Sequence, residues 1–262
     1  MRHEGVDAVR IAAFVVAICL LAPIGVMIIS SLSLDPYQAA LPTVLTTRHY
    51  VAFATSAQWR RAASNTAVLA LTSATLATVL GTPFGIVLPR ISRSAQRFLI
   101  GLVALPLLLP AMVGAVSLYR FAASVPSVSG RFFLMAAHAA LGLPLVIATV
   151  YPSARRIDEQ LILTAASLGA GPGRILVSTI LPLVWPAVAA GWLLACASSV
   201  DELIFAIFLT DASSETLPVK MWRGMRFDLD PAVTVVGSLI AVGSAILFWS
   251  AYAFTTIGRA RK

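Results

Sequence analysis

Six long apolar segments, separated by short polar stretches, make up most of this chain. A helix needs about 20 apolar residues to cross a hydrocarbon core about 30 Å thick, and each of the segments is long enough. The pattern predicts an all-α integral membrane protein with six transmembrane helices. The predicted spans are residues 11–34, 62–89, 98–119, 132–154, 175–200 and 231–258.

Small residues recur at every fourth position in the second and fifth predicted spans. Such a stripe lets helix backbones approach closely in lipid. Chance spacing in an alanine-rich helix is an alternative for either stripe alone, but the two together favour a compact bundle. The stripes are Ser73, Ala77, Gly81 and Gly85 in the second span, and Ala187, Gly191, Ala195 and Ser199 in the fifth.

Composition agrees with a membrane protein. The 262 residues are 59% hydrophobic and 11% charged, with a mean hydropathy of +0.90, whereas soluble domains carry about 25% charged residues. The net charge of +8 does not indicate nucleic-acid binding, because the basic residues lie singly at the ends of the spans. With both termini in the cytoplasm, eleven of the 19 Lys and Arg residues lie inside and eight outside, a modest positive-inside bias.

The expected organisation is a single membrane domain. Residues 1–60 hold the first transmembrane helix and an outer loop, residues 61–258 form the membrane core, and residues 259–262 form a basic cytoplasmic tail. The chain is therefore expected in the inner (plasma) membrane, with lipid around it and no nucleic-acid partner.

The polar, glycine-rich segment of residues 157–182 lies between the fourth and fifth spans. Asp158 or Ser153 can cap the start of a helix, and Gly169 is placed to end it. Pro172 can then begin a second short helix, so the segment is expected to form a projecting knob. The apolar face of its first helix would consist of Leu161, Thr164, Ala165 and Leu168.

The run AASLGA, followed by a turn and ILP, resembles the EAA loop of binding-protein-dependent ABC importer permeases. Gly169 and Ile180-Leu181-Pro182 match the family pattern, with the spacing kept to within one residue, while the family's glutamate aligns with Leu163. Downstream, PAVAAGWLLACASSVDELIFAIFLT and LPVKMWRGMRF look like the spermidine/putrescine-type branch. The resemblance covers roughly residues 60–257.

This resemblance implies a cytoplasmic coupling helix between helices four and five that docks onto separate ABC ATPase subunits. It also implies a second, homologous permease subunit and an extracytoplasmic solute-binding protein. The glycine run lacks the G-K-[ST] ending of a phosphate-binding loop, so no cofactor and no enzymatic activity are expected in this chain. The implied docking residues are Leu168, Gly169, Ala170, Gly171, Pro172, Gly173, Arg174, Ile175 and Leu176.

Asp201 and Glu202 interrupt the apolar run at the end of the fifth span. An ionised carboxylate in a membrane is costly unless it faces water or a partner, so both acids, together with Ser198, are candidates for the translocation path. On a continuous helix Asp201 shares a face with Ser198, and Glu202 points about 100° away. We expect one acid to line the path and the other to support packing. Alternatively, one pairs with Arg120 or Arg223 and only fixes the architecture.

The predicted function is the permease subunit of an ATP-driven importer for a small solute, such as a polyamine or another amino-acid-like compound. An ion- or proton-coupled secondary transporter is the alternative, with Asp201 or Glu202 as the proton site, but such proteins commonly contain inverted repeats and no repeat is evident here. A membrane enzyme is disfavoured because His3, His49 and His138 are scattered without ligand spacing.

Overall fold

The computed structural model describes residues 2–35, 44–228 and 230–260. Regular structure in these residues is helical, apart from one isolated bridge between Ser33 and Leu45, which confirms the all-α prediction. The α-helices are α1 (Arg2–Ser31), α2 (Arg48–Thr55), α3 (Ala57–Val87), α4 (Arg93–Leu108), α5 (Ala111–Ser124), α6 (Gly130–Arg155), α7 (Glu159–Ser167), α8 (Pro172–Ile175), α9 (Leu181–Val200), α10 (Ile204–Leu209), α11 (Leu217–Arg223) and α12 (Ala232–Ala260).

Within the described residues, five helical stretches are each long and apolar enough to cross a membrane. They correspond to the first, second, fourth, fifth and sixth predicted spans. The fifth span is longer than predicted, since it runs from Pro172 to Val200 and joins α8 to α9 through a π-helical segment, Leu176–Ile180. The tail of residues 259–262 is described only as far as residue 260.

The third predicted span is not one straight helix. It consists of α4 and α5, which meet at an angle of 89°, and counting the pair as one span gives six. The bend falls at Leu109 and Pro110, where the backbone is extended with ψ of 138° and 120°. Proline lacks the N–H that a helix needs and disfavours helical geometry at the residue before it. Pro106 lies inside α4 without a comparable break.

The chain divides into two compact units. One contains Met1–Arg61 and Lys220–Gly243, and the other contains Ala62–Val219 and Ser244–Lys262. In the first unit the Tyr50 hydroxyl lies 2.7 Å from Ser31 Oγ and 3.1 Å from Ser238 Oγ. These contacts connect α1, α2 and the start of α12.

A second polar contact in the first unit involves Trp59 on α3. Its indole Nε1 donates to Asp230 Oδ2 at 3.1 Å, and Lys220 Nζ lies 5.0 Å from the ring centroid. Trp59 is 4% exposed, so the hydrogen bond satisfies the indole N–H of a buried aromatic side chain.

Helix α6 forms the centre of the second unit, where Val146 is completely buried. A Cβ added to Gly142 would lie 3.0 Å from Ala195 Cβ and 3.3 Å from Ala77 Cβ. On α9, a Cβ added to Gly191 would lie 2.9 Å from Val146 Cα. Helices α3 and α9 therefore approach α6 at distances that only the smallest residues permit.

The other stripe residues on α3 make the same kind of contact. A Cβ on Gly81 would lie 3.0 Å from Val146 Cγ1, and one on Gly85 would lie 2.9 Å from Val150. Ser73 and Ser199, one from each stripe, are hydrogen-bonded to each other at 3.2 Å. The compact bundle predicted from the two stripes is confirmed.

We expect Gly191→Ala to destabilise the second unit by about 1–3 kcal/mol, as overpacking does in other cores. The new methyl group would meet Thr149 Oγ1 at 2.6 Å and the Val146 backbone at 2.9 Å. Gly101→Ala in α4 is the matched control, because nothing lies within 4 Å of its Cβ. Thermal unfolding of the detergent-solubilised protein should show a lower midpoint for Gly191→Ala alone. Equal midpoints for the two variants would contradict the close approach.

Candidate functional site

The two short helices of the knob between α6 and α9 begin at the signals expected from the sequence. Asp158 precedes α7, and its Oδ1 accepts a hydrogen bond from the Gln160 N–H at 2.9 Å, so Asp158 and not Ser153 is the cap. Pro172 occupies the first turn of α8, where its missing N–H would in any case have no partner within the helix.

Gly169 ends α7 in the left-handed backbone region, with a φ of +83°. Its N–H donates to Ala166 O at 2.9 Å, and the Ala170 N–H donates to Ala165 O at 3.0 Å. This pair of bonds is the Schellman arrangement at a helix C-terminus. Glycine suits the position because a residue with Cβ resists positive φ.

The knob is packed onto the end of the bundle by a small set of apolar residues. Ile175 and Ile180 belong to the main buried cluster, and Ile162, Ala165 and Ala170 pack against that cluster. The knob is therefore a fixed part of the second unit.

The predicted apolar face of α7 was largely wrong. Ala165 packs inward as expected, but Leu161 and Leu168 are 50% and 83% exposed, and Thr164 is exposed as well. The inward face is instead formed with Ile162, because α7 packs along the line from Ile162 to Ala165. The exposed leucines leave an apolar surface pointing away from the bundle.

The residues expected to dock onto an ATPase lie mostly on this outward surface. Ile175 is the exception, because it is 8% exposed and belongs to the core, and Ala170 is half-buried. The exposed members are Leu168, Gly169, Gly171, Pro172, Gly173, Arg174 and Leu176.

The acidic pair lies in a break between helices, which corrects the continuous helix assumed from sequence. Helix α9 ends at Val200 and α10 begins at Ile204. Glu202 accepts hydrogen bonds from the Phe205 N–H at 3.0 Å and from the Ala206 N–H at 3.2 Å. Its carboxylate thereby satisfies N–H groups that have no partner within the first turn of α10.

His138 on α6 lies against the same carboxylate. Its Nε2 is 3.3 Å from Glu202 Oε2, within ion-pair distance but outside hydrogen-bond geometry. Its Nδ1 is 2.6 Å from Ser199 Oγ, which in turn is hydrogen-bonded to Ser73. This polar cluster of Ser73, His138, Ser199 and Glu202 connects α3, α6 and α9 to the break. Glu202 has a histidine partner where the sequence suggested an arginine.

Asp201 has a different environment from its neighbour. It is exposed, and its Oδ2 accepts a hydrogen bond from the Ser244 hydroxyl of α12 at 3.4 Å. Ser198, one turn earlier, is half-buried. The two acids therefore differ in environment, because the Glu202 side chain is only 11% exposed, whereas Asp201 is exposed.

Sequence reasoning missed His138, which it treated as one of three scattered histidines. The available signal was its position inside the apolar run of residues 132–154. A polar side chain in a membrane helix needs a partner, and the same reasoning had already selected Asp201 and Glu202.

The loop before α11 is held by a carboxylate-centred turn. Asp211 Oδ1 accepts from the hydroxyls of Ser213 and Ser214, each at 2.7 Å, and these hydrogen bonds hold the pKa of Asp211 below its usual value. Ser213 O accepts from Asn65 Nδ2 at 3.1 Å and from Arg131 Nη2 at 2.8 Å. The loop is thereby fixed to α3 and to the start of α6.

Ionisable residues within membrane helices commonly mark substrate or ion pathways, so the acidic break in this helical bundle is typical of a transporter. The sequence pattern of the family described as "Binding-protein-dependent transport system inner membrane component" matches residues 81–256. The chain belongs to this family of ABC importer permeases, and it is a multi-pass protein of the inner membrane.

Individual relatives agree with this assignment, and a solved structure shares the fold. The chain is 31% identical to the spermidine/putrescine transport system permease protein PotC of Escherichia coli (strain K12) over 202 residues, 77% of this chain and 76% of PotC. It is 32% identical to the molybdenum transport system permease protein ModB of Mycobacterium bovis over 206 residues, 72% of this chain and 77% of ModB. A solved structure with the same fold is that of a bacterial alginate ABC transporter in complex with a periplasmic protein that holds an alginate pentasaccharide. The TM-score is 0.71 and the sequence identity is 14%, and the match covers 95% of this chain and 93% of the transporter chain.

We expect His138→Ala and Glu202→Ala to be strongly non-additive. Residues in direct contact show interaction energies of about 0.5–3 kcal/mol. Removing His138 takes a partner from the Glu202 carboxylate, and removing Glu202 takes a partner from the His138 ring. The measurement is a double-mutant cycle on the thermal stability of the purified protein. The control cycle pairs His138→Ala with Asp201→Ala and should be additive, because Asp201 contacts Ser244. Additivity in both cycles would refute the His138–Glu202 contact.

Proposed function

We propose that this permease subunit imports a small cationic solute, of which a polyamine is the best-supported class, by ATP-driven alternating access. ATP would be hydrolysed by separate ATPase subunits docked on the knob. The knob and both termini would lie in the cytoplasm, in agreement with the modest positive-inside bias of the sequence.

The observation that carries this proposal is the continuity of the fifth span. The helix of 29 residues from Pro172 to Val200 starts at the exposed knob and ends at Asp201. At 1.5 Å per residue, it extends about 40 Å. A displacement of the knob is therefore transmitted along one element to the acidic break, which gives ATPase movement a mechanical route to the solute path.

The knob suits docking because its outward surface is preformed. Leu168 is 83% exposed, whereas Ile175 and Ile180 fix the segment to the core. An exposed apolar side chain on a rigid support is the kind of group that a partner's cleft can bury as an interface hot spot. The two ATPase conformations would bind this surface differently, and that difference is what shifts the permease between its states.

The substrate class is inferred from Asp201. Its carboxylate is exposed and accepts a hydrogen bond from Ser244, so it can meet a solute cation, and a carboxylate at this position disfavours an anion by like-charge repulsion. PotC, named for spermidine and putrescine, agrees with this electrostatic preference better than ModB, named for molybdenum.

The remaining partners follow from the same assignment. A second, homologous permease would complete the path as a transmembrane dimer, and a solute-binding protein would deliver the substrate from outside. The alginate transporter structure includes a periplasmic protein, which supports a comparable delivery step here.

We expect Leu168→Glu to weaken ATPase binding roughly ten-fold or more, as expected for loss of an interface side chain worth ~2 kcal/mol. The side chain is exposed, so folding should be unaffected. The measurements are ATPase co-purification and ATP-dependent uptake in vesicles. Leu45→Glu is the control, because Leu45 is 66% exposed but lies outside the knob. Normal coupled uptake by the Leu168 variant would contradict the proposal that this surface docks the ATPase.

We expect Asp201→Asn to raise the KM for uptake of a cationic substrate roughly ten-fold or more, because hydrogen bonds to charged groups contribute about 1.5–3 kcal/mol. Asp201→Glu should restore part of the loss. Ser244→Ala, which removes the neighbouring hydroxyl and keeps the carboxylate, should have a much smaller effect. The readout is uptake of radiolabelled spermidine and putrescine by the reconstituted complex. An unchanged KM in Asp201→Asn would assign Asp201 to architecture alone.

A further inference from the structure

We propose that a cavity between the start of α4 and the end of α6 binds the headgroup of an anionic phospholipid. The cavity has a volume of about 750 Å³, and its lining includes none of the predicted docking residues and neither Asp201 nor Glu202. Its polar lining comes from Ser92, Arg93, Gln96 and Arg97 at the start of α4 and from Tyr151 and Arg155 at the end of α6.

The charge of the cavity selects the class of ligand. Arg93, Arg97 and Arg155 all line it, and no aspartate or glutamate is present among its described lining residues. Three like charges around one space repel each other unless an anion lies among them. The planar guanidinium group also matches the oxygens of a phosphate, which it can bind through paired hydrogen bonds.

The walls of the cavity are held by two hydrogen bonds of Gln96, one to the backbone before α4 and one to a side chain of α6. Gln96 Nε2 donates to Ile91 O at 3.1 Å, and the Tyr151 hydroxyl donates to Gln96 Oε1 at 3.4 Å. Gln96 thus connects the start of α4 to α6. The arginines therefore surround a space of defined shape.

The position of the cavity favours a lipid over a free phosphate. The membrane-spanning stretches Ala57–Arg90 and Gly130–Arg155 both end at this level. Immediately beyond the cavity, α4 presents exposed apolar side chains, with Phe98 at 70% and Leu102 at 51% exposure. A phospholipid can place its phosphate among the arginines and its acyl chains along α4. A soluble phosphate would contact the arginines and leave the apolar side chains of α4 uncovered. Basic pockets between transmembrane helices bind anionic headgroups in this way.

The test measures phospholipid retained by the full chain together with its co-purifying subunits. The protein is purified from nanodiscs of phosphatidylcholine with and without phosphatidylglycerol, and bound lipids are identified by native mass spectrometry. Wild-type protein should retain phosphatidylglycerol preferentially. The variant Arg93→Gln/Arg97→Gln/Arg155→Gln should lose that preference, with retention weakened about five-fold for each arginine removed.

A matched variant removes the same number of positive charges elsewhere. Arg60→Gln/Arg61→Gln/Arg156→Gln changes arginines that do not line the cavity and should retain phosphatidylglycerol as the wild type does. The single variants Arg97→Gln and Arg156→Gln repeat this comparison with less perturbation of folding or insertion.

Four results would overturn the proposal. One is equal retention of phosphatidylcholine and phosphatidylglycerol by the wild type. Another is equal loss in the cavity and control variants, which would reflect net charge alone. The third is displacement of the lipid by inorganic phosphate or glycerol phosphate, which would identify a soluble anion as the ligand. Loss of a co-purifying subunit from the cavity variant, with lipid retention unchanged, would instead assign the arginines to a protein contact. Because no arm measures uptake, the result does not depend on the proposed substrate or on ATP coupling.

Discussion

The close approach of α3 and α9 to α6 is the constraint on which the second unit depends. Lipid tails are as apolar as leucine, so burial from water does not drive helices together within a membrane, and packing and hydrogen bonds must do so. Here Gly142 and Gly191 bring backbones so near that even one added Cβ would fall within about 3 Å of its neighbours. The many contacts made at that distance compensate for the missing hydrophobic driving force.

That tight packing also explains how the bundle accommodates buried polar groups. His138 and Ser199 are both almost fully buried, and their side chains are only 2.6 Å apart. Each polar atom in such a place needs a nearby partner, because an unpaired one costs about 1–3 kcal/mol. The small residues that bring the helices together thus also bring these side chains within reach of each other and of Glu202.

Sequence alone predicted the parts of this structure that follow from periodicity and from local helix signals. The two small-residue stripes and the Gly169 helix end are read from spacing and residue type, and so is the choice of Asp158 or Ser153 as the cap, which the structure resolves to Asp158. The bend at Pro110 could not be read in the same way, because Pro106 in the same segment lies within a helix. Proline permits a break, and the surrounding packing decides whether it forms.

The inward face of α7 and the break after Val200 were mispredicted for a related reason. Both depend on contacts with residues far away in sequence. Periodicity predicted an apolar face of α7 that contains Leu161 and Leu168, whereas contact with the core cluster selected the one containing Ile162. Likewise, local propensity favours a continuous helix through Asp201, whereas the helix breaks there and Glu202 lies beside His138.

The difference between the adjacent acids follows from this break. In a continuous helix both carboxylates would project sideways, and each would need its own partner in the membrane. Because α9 ends at Val200, the Glu202 carboxylate lies over the start of α10 and accepts hydrogen bonds from two backbone N–H groups. The helix dipole also favours a negative charge at this end of α10. Glu202 is thereby stabilised within the protein, whereas the Asp201 carboxylate accepts a hydrogen bond from the Ser244 hydroxyl and stays exposed. One acid therefore stabilises the geometry that leaves the other accessible, which accounts for two carboxylates side by side at the end of a membrane helix.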